Sequence, residues 1–544
     1  MKRRDFLMGS ASLLALTPVR PALAQAWQNN FNVTRNASGP VLTKEMFGAN
    51  ILSPFDDISG NNSNHGFTPQ AKNNLGARFT SYGGRGIMRW PGGGLTEGEK
   101  TSGNWVQNTG VDFGDLDPGS LSVTARGQWQ GYLDGATLKR RWLRTTLDDF
   151  LSYLDSNPSI QGVIVLPTFR YLRPWGYSGN RVYYNKILGS GSATLQTFVQ
   201  YVYDRIASHY PEARIFAWEV GNEYEAGGAN GAMTPQEYAR LAETAARAIR
   251  VVDANAKVAI QAGPLTSNIT DYEPAAAALY SQFQARAGNF GTDDPDFLVH
   301  HIYESWDDGH IRQQNVLEYI QTLWGGIPVL ASEWNITDPS DHSLYNDTLQ
   351  RFRLGMERAY RLTAMFDTMI SANVQAAAFW PIVHDHVGTS MFRYESPIKP
   401  YIAATIAEWL SSTLQGVGSS TMRRADVVYA PVSTTGTAIE VFAYCRDDRR
   451  RATVFVCARN AVAQDVKIRI YGMRPNSVTC FADRMYGASG PMPYVDTALP
   501  TASVNSGIPV TITSVSGGRQ FEFALRDSST NTEYDVVRLT VTYS

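Results

Sequence analysis

Eight short apolar runs recur between residues 45 and 411, and longer stretches with apolar residues at helical spacing lie between several of them. The runs are MFGANI (46–51), GIMRWPGG (86–93), GVIVLPTF (162–169), RIFAWEVGN (214–222), KVAIQAG (257–263), DFLVHHIY (296–303), IPVLASEWN (327–335) and VQAAAFWP (374–381). Continuous apolar runs of this length, rather than alternating ones, mark parallel strands buried on both faces. Helices are expected in TTLDDFLSYLDS (145–156), TPQEYARLAETAARAIRVV (234–252) and LQRFRLGMERAYRLTAMFDTMIS (349–371). The second opens with Thr234 as an N-cap, Pro235 at the first helical position and Glu237 in the first turn. Eight β-then-α units predict a (β/α)8 barrel. A doubly wound sheet would instead need a glycine-rich dinucleotide turn after the first strand, and FGANILSPFDD is not one.

A chain of 544 residues exceeds one barrel. After residue 412 the texture changes to short alternating runs broken by Gly, Ser, Asn and Pro, such as TAIEVFAYCRDD, RATVFVCARN, DVKIRIYGM, RQFEFALRD and DVVRLTVTYS. That pattern predicts a C-terminal antiparallel β-sandwich over 412–544. The barrel would occupy 45–411, and residues 25–44 are placed to lend the sandwich a strand. All twelve tryptophans lie between Trp27 and Trp409.

Residues 1–24 read as an export signal. Arg3-Arg4 precede Phe6-Leu7, an apolar stretch follows from Met8 to Leu16, and Ala22-Leu23-Ala24 forms a small-x-small cleavage site. The stretch is too short to span a bilayer, so removal is expected rather than anchoring. The arginine pair resembles a twin-arginine signal, with a periplasmic or extracellular destination; an ordinary secretory signal leads to the same side of the membrane. This segment carries a net +3, so its loss takes the formal charge from −2 to −5. No basic stripe offers a phosphate footprint, which argues against nucleic acid as a partner. Cys445, Cys457 and Cys480 are too few for a disulfide framework and lie away from the acids and histidines. Oligomeric state is left open.

Catalytic groups of a barrel project from the C-terminal ends of its strands. Here those ends hold Arg89-Trp90 on the second strand and Asn222-Glu223 on the fourth. The sixth ends in His300-His301-Ile302-Tyr303, the seventh in Glu333-Trp334-Asn335, and the eighth in Trp380 with His384-Asp385-His386 beyond. Polar groups at so many ends need pairing or water, a demand without purpose in a purely structural barrel. Glu223 and Glu333 stand 110 positions apart yet would face each other across the mouth. Paired carboxylates suit glycoside cleavage, in which one protonates the leaving oxygen and the other attacks the anomeric carbon. Arg89 is placed to hold the attacking group anionic. Glu219, four residues before Glu223, would lie about 13 Å deeper in an extended strand, as a structural residue paired inside the barrel. Glu225 would be a solvated or subsite loop residue.

WEVGNE followed by LASEWNITDPSD resembles the clan of (β/α)8-barrel glycoside hydrolases that carry an Asn-Glu acid/base on strand four and a Glu nucleophile on strand seven. Within it the motifs are similar to families 39 and 51, which include β-xylosidases, α-L-iduronidases and α-L-arabinofuranosidases. RWPGGG resembles family 51, SEWNITDPSD family 39, and WEVGNE also family 79. The resemblance implies Glu223 as acid/base and Glu333 as nucleophile of a retaining enzyme. It implies Asn222 on the sugar 2-hydroxyl, His301 and Tyr303 as the strand-six pair with Tyr303 near Glu333, and Trp380 flooring the glycone subsite. Arg89 and Trp334 join them as substrate-binding residues. The expected partner is a carbohydrate, with no cofactor and no membrane attachment once the signal is gone. Tyr224-Glu225 departs from relatives that have proline and asparagine there.

A non-catalytic carbohydrate-binding barrel is the rival reading. It would keep the aromatics of the loops, Trp105, Trp129, YLRPWGYSGNRVYY (171–184) and Trp306, without needing two acids set close together. The long loops 90–135 and 171–192 suit either a cleft or a pocket. A metal site would need three or four of the histidines and acids to converge, which the spacing does not show. GGGLTEGEKT is no phosphate loop, because Glu99 interrupts the Gly-Lys-Thr order.

Overall fold

The computed structural model describes residues 27–51, 69–90, 99–101, 104–106, 132–134, 137–139, 147–166, 195–225, 233–266, 268–286, 294–303, 309–336, 356–382, 390–393, 399–414, 420–431, 438–459, 465–474, 477–486, 503–525 and 534–544. The export segment, most of both long loops, His384-Asp385-His386 and the first residues of the 349–371 stretch lie outside them.

Eight parallel strands close a barrel: β1 (Gly48–Asn50), β2 (Gly86–Trp90), β3 (Ile160–Leu166), β4 (Ile215–Val220), β5 (Val258–Gln261), β6 (Phe297–Tyr303), β7 (Val329–Asn335) and β8 (Val374–Phe379). Each matches one apolar run of the sequence. They are followed in turn by α1 (Pro69–Ser81), α2 (Leu147–Asp155), α3 (Leu195–His209), α4 (Pro235–Val252), α5 (Ile269–Ala285), α6 (Gly309–Leu323), α7 (Met356–Ser371) and α8 (Ile402–Ser411). Helix α4 starts as its sequence demands. Glu237 N donates to Thr234 Oγ1 and Thr234 N to the Glu237 carboxylate, a reciprocal capping box with Pro235 in the first turn. Closure pinches β1 between β2 and β8. A Cβ on Gly48 would lie 2.4 Å from Ile87 Cγ1 and 2.7 Å from Ala377 O, so only glycine fits there.

Alternation sorts the strand residues. Ile87, Val163, Ala217, Ala259, Phe297, Val299, Leu330, Ala376 and Ala378 fill the barrel's interior, while their sequence neighbours pack outward against the helices. The residues two further along β1, β2, β4, β5 and β6 are polar. The lower barrel is therefore an apolar plug and its upper layer a polar one.

The remainder forms a sandwich. A six-stranded sheet runs in the order Met422–Arg424, Ala438–Arg446, Arg451–Arg459, Tyr534–Tyr543, Val478–Tyr486, Ser503–Ser506. A five-stranded sheet runs Asp426–Pro431, Trp27–Thr34, Asp465–Tyr471, Gly518–Ala524, Thr511–Val515. Strand Trp27–Thr34 lies between Asp426–Pro431, antiparallel to it, and Asp465–Tyr471, parallel to it. Phe31 and Val33 thereby enter the core between the sheets with Val454, Ile468, Phe521 and Val537. Six of these eleven strands, among them the exposed Thr511–Val515, are not among the five runs read from the sequence, and one of the six, Trp27–Thr34, falls in the segment placed to lend the sandwich a strand. The three cysteines are unpaired.

Helix α7 is buried almost throughout, because the barrel covers one side and the six-stranded sheet the other. Its Asp367 accepts from Arg424 Nη2 at 2.7 Å and from Tyr444 Oη at 3.1 Å, joining the two domains by a half-buried ion pair. Tyr360 of α7 lies against Tyr534 of the sheet at 5.4 Å between ring centres.

Candidate active site

The polar layer at the mouth is built around Arg89, which is fully buried at the end of β2. Its five N–H donors are all engaged. Nε and Nη2 donate to the two oxygens of Glu219 at 2.7 Å each, Nη2 also to Asn222 Oδ1 at 2.8 Å, and Nη1 to Glu333 Oε1 at 2.5 Å and Asn50 Oδ1 at 3.0 Å. Burial alone would discourage the guanidinium charge; Glu219 and Glu333 reverse that and raise its pKa. The same contact works on Glu219. Its burial favours the acid, but Arg89 and then His301 hold it below the ordinary carboxylate range.

Glu333 is the meeting point of the strands. Beside Arg89 on Oε1, Tyr303 donates its hydroxyl to Oε2 at 2.7 Å, and His301 Nδ1 lies 3.6 Å from that oxygen. One extra residue makes this possible. The registers of β7 against β6 and against β8 both shift between Leu330 and Trp334, a bulge that turns the consecutive Ser332 and Glu333 inward together. Ser332 Oγ then reaches Glu219 Oε1 at 3.1 Å and His301 Nε2 at 3.1 Å.

Glu223 stands just past β4. The chain turns there through Gly221 at φ 77° and Glu223 itself at φ 48°, a left-handed conformation uncommon outside glycine. Glu223 Oε1 meets His301 Nδ1 at 2.8 Å. The turn corrects the expected depth of Glu219: His301 touches Glu223 on one side and comes within 3.9 Å of Glu219 on the other, so the two acids share one imidazole. Glu219 is paired inside the barrel, as expected, but directly beneath the site.

His301 sits among three carboxylates. Burial opposes its charge, while the charges of Glu333, Glu219 and Glu223 outweigh burial and push its pKa up to about 10. For Glu223, burial pulls toward the acid and the hydrogen bond and charge of His301 pull further the other way, so its carboxyl lies below the ordinary range. Adjacent His300 points to the opposite side of β6, where it meets Gln313 at 3.1 Å and burial lowers its pKa to about 4. The two histidines cannot converge on one ion.

One further expectation is corrected. Trp334 does not face the mouth. With Glu333 turned inward, Trp334 points out and packs on Phe379 and Phe366 at 5.1 and 6.2 Å between ring centres. Glu225, read as a solvated or subsite loop residue, is half-buried; it accepts from Leu265 N in the loop after β5, and burial raises its pKa to about 7. Trp380 is buried at the end of β8, ahead of a cis bond to Pro381, with its backbone tied to Trp334 and Asn335. The sequence reading passed over Asn50, Gln261 and Ser332. Asn50 and Gln261 end β1 and β5, so the strand-end rule identifies both when applied to every strand. Ser332 gives no such signal, because only the bulge turns it inward.

Glu223, His301 and Glu333 bring one oxygen or nitrogen each within 4.8 Å of one another. These are also metal-ligand types. Arg89 and Tyr303 occupy both oxygens of Glu333, however, and His301 rests protonated, an arrangement suited to proton transfer and nucleophilic attack.

The family model for cellulase (glycosyl hydrolase family 5) matches residues 177–376, which include Glu223, His301 and Glu333. Comparison with curated protein sequences finds no match. Solved structures share the fold across nearly the whole chain. An α-L-arabinofuranosidase from Thermotoga maritima in complex with arabinose superposes with a TM-score of 0.60 at 15% identity, covering 95% of this chain and 100% of that one. A family 30 endoxylanase from Clostridium papyrosolvens gives 0.54 at 13%, covering 95% and 100%. A monomeric β-xylosidase from Caulobacter crescentus gives 0.51 at 15%, covering 94% and 99%.

The charge on His301 links stability to pH. Its pKa is about 10 in the fold against an ordinary 6.5, so the folded chain holds a proton that the unfolded chain has released. The stabilisation is complete below about pH 6.5 and is lost as pH climbs through about 10. Thermal unfolding between these values should show the wild type losing melting temperature more steeply than His301→Asn. Parallel slopes would contradict the protonated state.

Proposed function

We propose that this chain is a glycoside hydrolase of the (β/α)8-barrel clan that cleaves glycosidic bonds of a polysaccharide or oligosaccharide by double displacement, with Glu333 as nucleophile and Glu223 as acid/base. The close approach of Glu223 and Glu333 within 4.8 Å carries the reading. Carboxylates set roughly 5 Å apart suit direct attack on the sugar, whereas inversion needs a wider gap that admits water. A non-catalytic sugar-binding barrel has no need of that spacing.

Glu333 attacks the anomeric carbon while Arg89 and Tyr303 orient its two oxygens. In the resting site His301 donates to an ionised Glu223. The two share one proton across 2.8 Å, and its titration belongs to the pair. Transfer from Nδ1 to the carboxylate makes Glu223 the acid as the leaving oxygen takes the proton. In the second half Glu223 removes a proton from the attacking water, the bond to Glu333 breaks, and the pair regains its proton. The amide of Asn222 and the ring of Trp380 bind the glycone. The solved neighbours make α-L-arabinofuranosides and β-xylosides the first substrates to try.

Glu333→Ala should leave less than about one thousandth of wild-type kcat, and Glu223→Ala should lose about 10²–10⁴-fold on unactivated substrates. Wild-type turnover by Glu333→Ala on a productive substrate would refute the assignment. The arginine pair and cleavage site support export by the twin-arginine route. Fractionation of cells should find the wild type outside the cytoplasm and the Arg3→Lys, Arg4→Lys double variant inside; export of both would refute that route.

A further inference from the structure

Strands β4 and β5 pair through Trp218, Glu219 and Val220 opposite Val258, Ala259 and Ile260. Trp218 N donates to Lys257 O at 2.9 Å. The even spacing of parallel ladders then brings the next rungs from Ala259 N to Trp218 O, from Val220 N to Ala259 O, and from Gln261 N to Val220 O. That last rung is replaced. The hydroxyl of Tyr238, buried in the first turns of α4, sits in the gap, donating to Val220 O at 2.7 Å and accepting from Gln261 N at 2.7 Å. A side chain thus serves as a spacer between two barrel strands at the level where Glu223 leaves β4.

The same ring holds the far side of Glu223. Tyr224 stacks on Tyr238 with ring centres 4.5 Å apart and planes 18° from parallel. Tyr224 O accepts from Met233 N at 2.9 Å. On the near side, Gly221 N continues the β3–β4 ladder to Leu166 O at 2.8 Å, and Gln261 Nε2 meets Gly221 O at 3.3 Å. The segment 220–224 is gripped at both ends by one residue, with the left-handed Glu223 between. The capping box at Thr234 and Glu237 sets where α4 begins, and so where Tyr238 reaches the sheet.

We infer that Tyr238 is a positioning residue for Glu223: its hydroxyl spreads β4 from β5 and its ring carries Tyr224, which together hold the acid/base carboxylate against His301. The inference rests on the acid/base reading of Glu223. Without the hydroxyl, Gln261 N and Val220 O close into the ordinary rung, β4 moves toward β5, and Glu223 shifts while Glu333 stays on its own strand. The defect is then confined to proton donation, which matters in proportion to how poor the leaving group is.

The test is Tyr238→Phe, which keeps the ring and loses the hydroxyl, with kcat/KM measured on an alkyl glycoside and on a nitrophenyl glycoside of the same sugar. The alkyl substrate should lose about tenfold, and the nitrophenyl substrate, which departs without a proton, should stay within about twofold. Tyr238→Leu, which also removes the stack, should widen the gap between the two substrates. Equal losses on both substrates, or no loss on either, in a variant with wild-type circular dichroism would overturn the inference. Glu223→Ala measured alongside separates the two levels. If it shows no leaving-group dependence, the acid/base reading fails; if it does while Tyr238→Phe does not, only the positioning role fails.

Discussion

A single buried guanidinium makes the mouth of this barrel possible. Arg89 meets two carboxylates, Glu219 and Glu333, and two amide oxygens with five donors, in a place where any one of those groups alone would be costly to bury. Lysine could not replace it, since three donors on a point charge cannot fork between Glu219 on β4 and Glu333 on β7. The network ties β1, β2, β4 and β7 together at the level of the chemistry. Glu333 is held by this rigid frame, while Glu223 belongs to a turn above it.

The second constraint is one of phase. A strict alternation along eight strands brings up an apolar layer and then a polar layer, and two local departures from it create the site. The bulge in β7 turns Ser332 and Glu333 inward together. The left-handed turn at Gly221 and Glu223 swings the second acid back over His301. His301 becomes the bridge between the two halves, its charge favoured by all three carboxylates.

The eight strands were legible because burial on both faces demands unbroken apolar runs, and the capping box of α4 because its residue types are specific to a helix start. Arg89, His301 and Tyr303 were legible from strand ends. Trp334 was misread for a physical reason. A tryptophan beside a strand-end acid suggests a substrate-binding residue, but neighbours in a strand face opposite ways, and an inward Glu333 sends Trp334 outward. The contact of Glu219 with His301 was hidden because strand geometry carries no hint of the turn at Glu223. Tyr238 gives no signal in the sequence at all; it looks like any apolar position of an amphipathic helix, and only the interrupted ladder between β4 and β5 reveals its hydroxyl.

The short approach of Glu223 to Glu333 underlies the proposed double displacement, and the stereochemistry of the reaction reads that distance directly. Proton NMR of the first product released from a productive glycoside, recorded before mutarotation, should show the anomeric configuration of the substrate retained. A first product of inverted configuration would contradict the double displacement and the roles given to both acids.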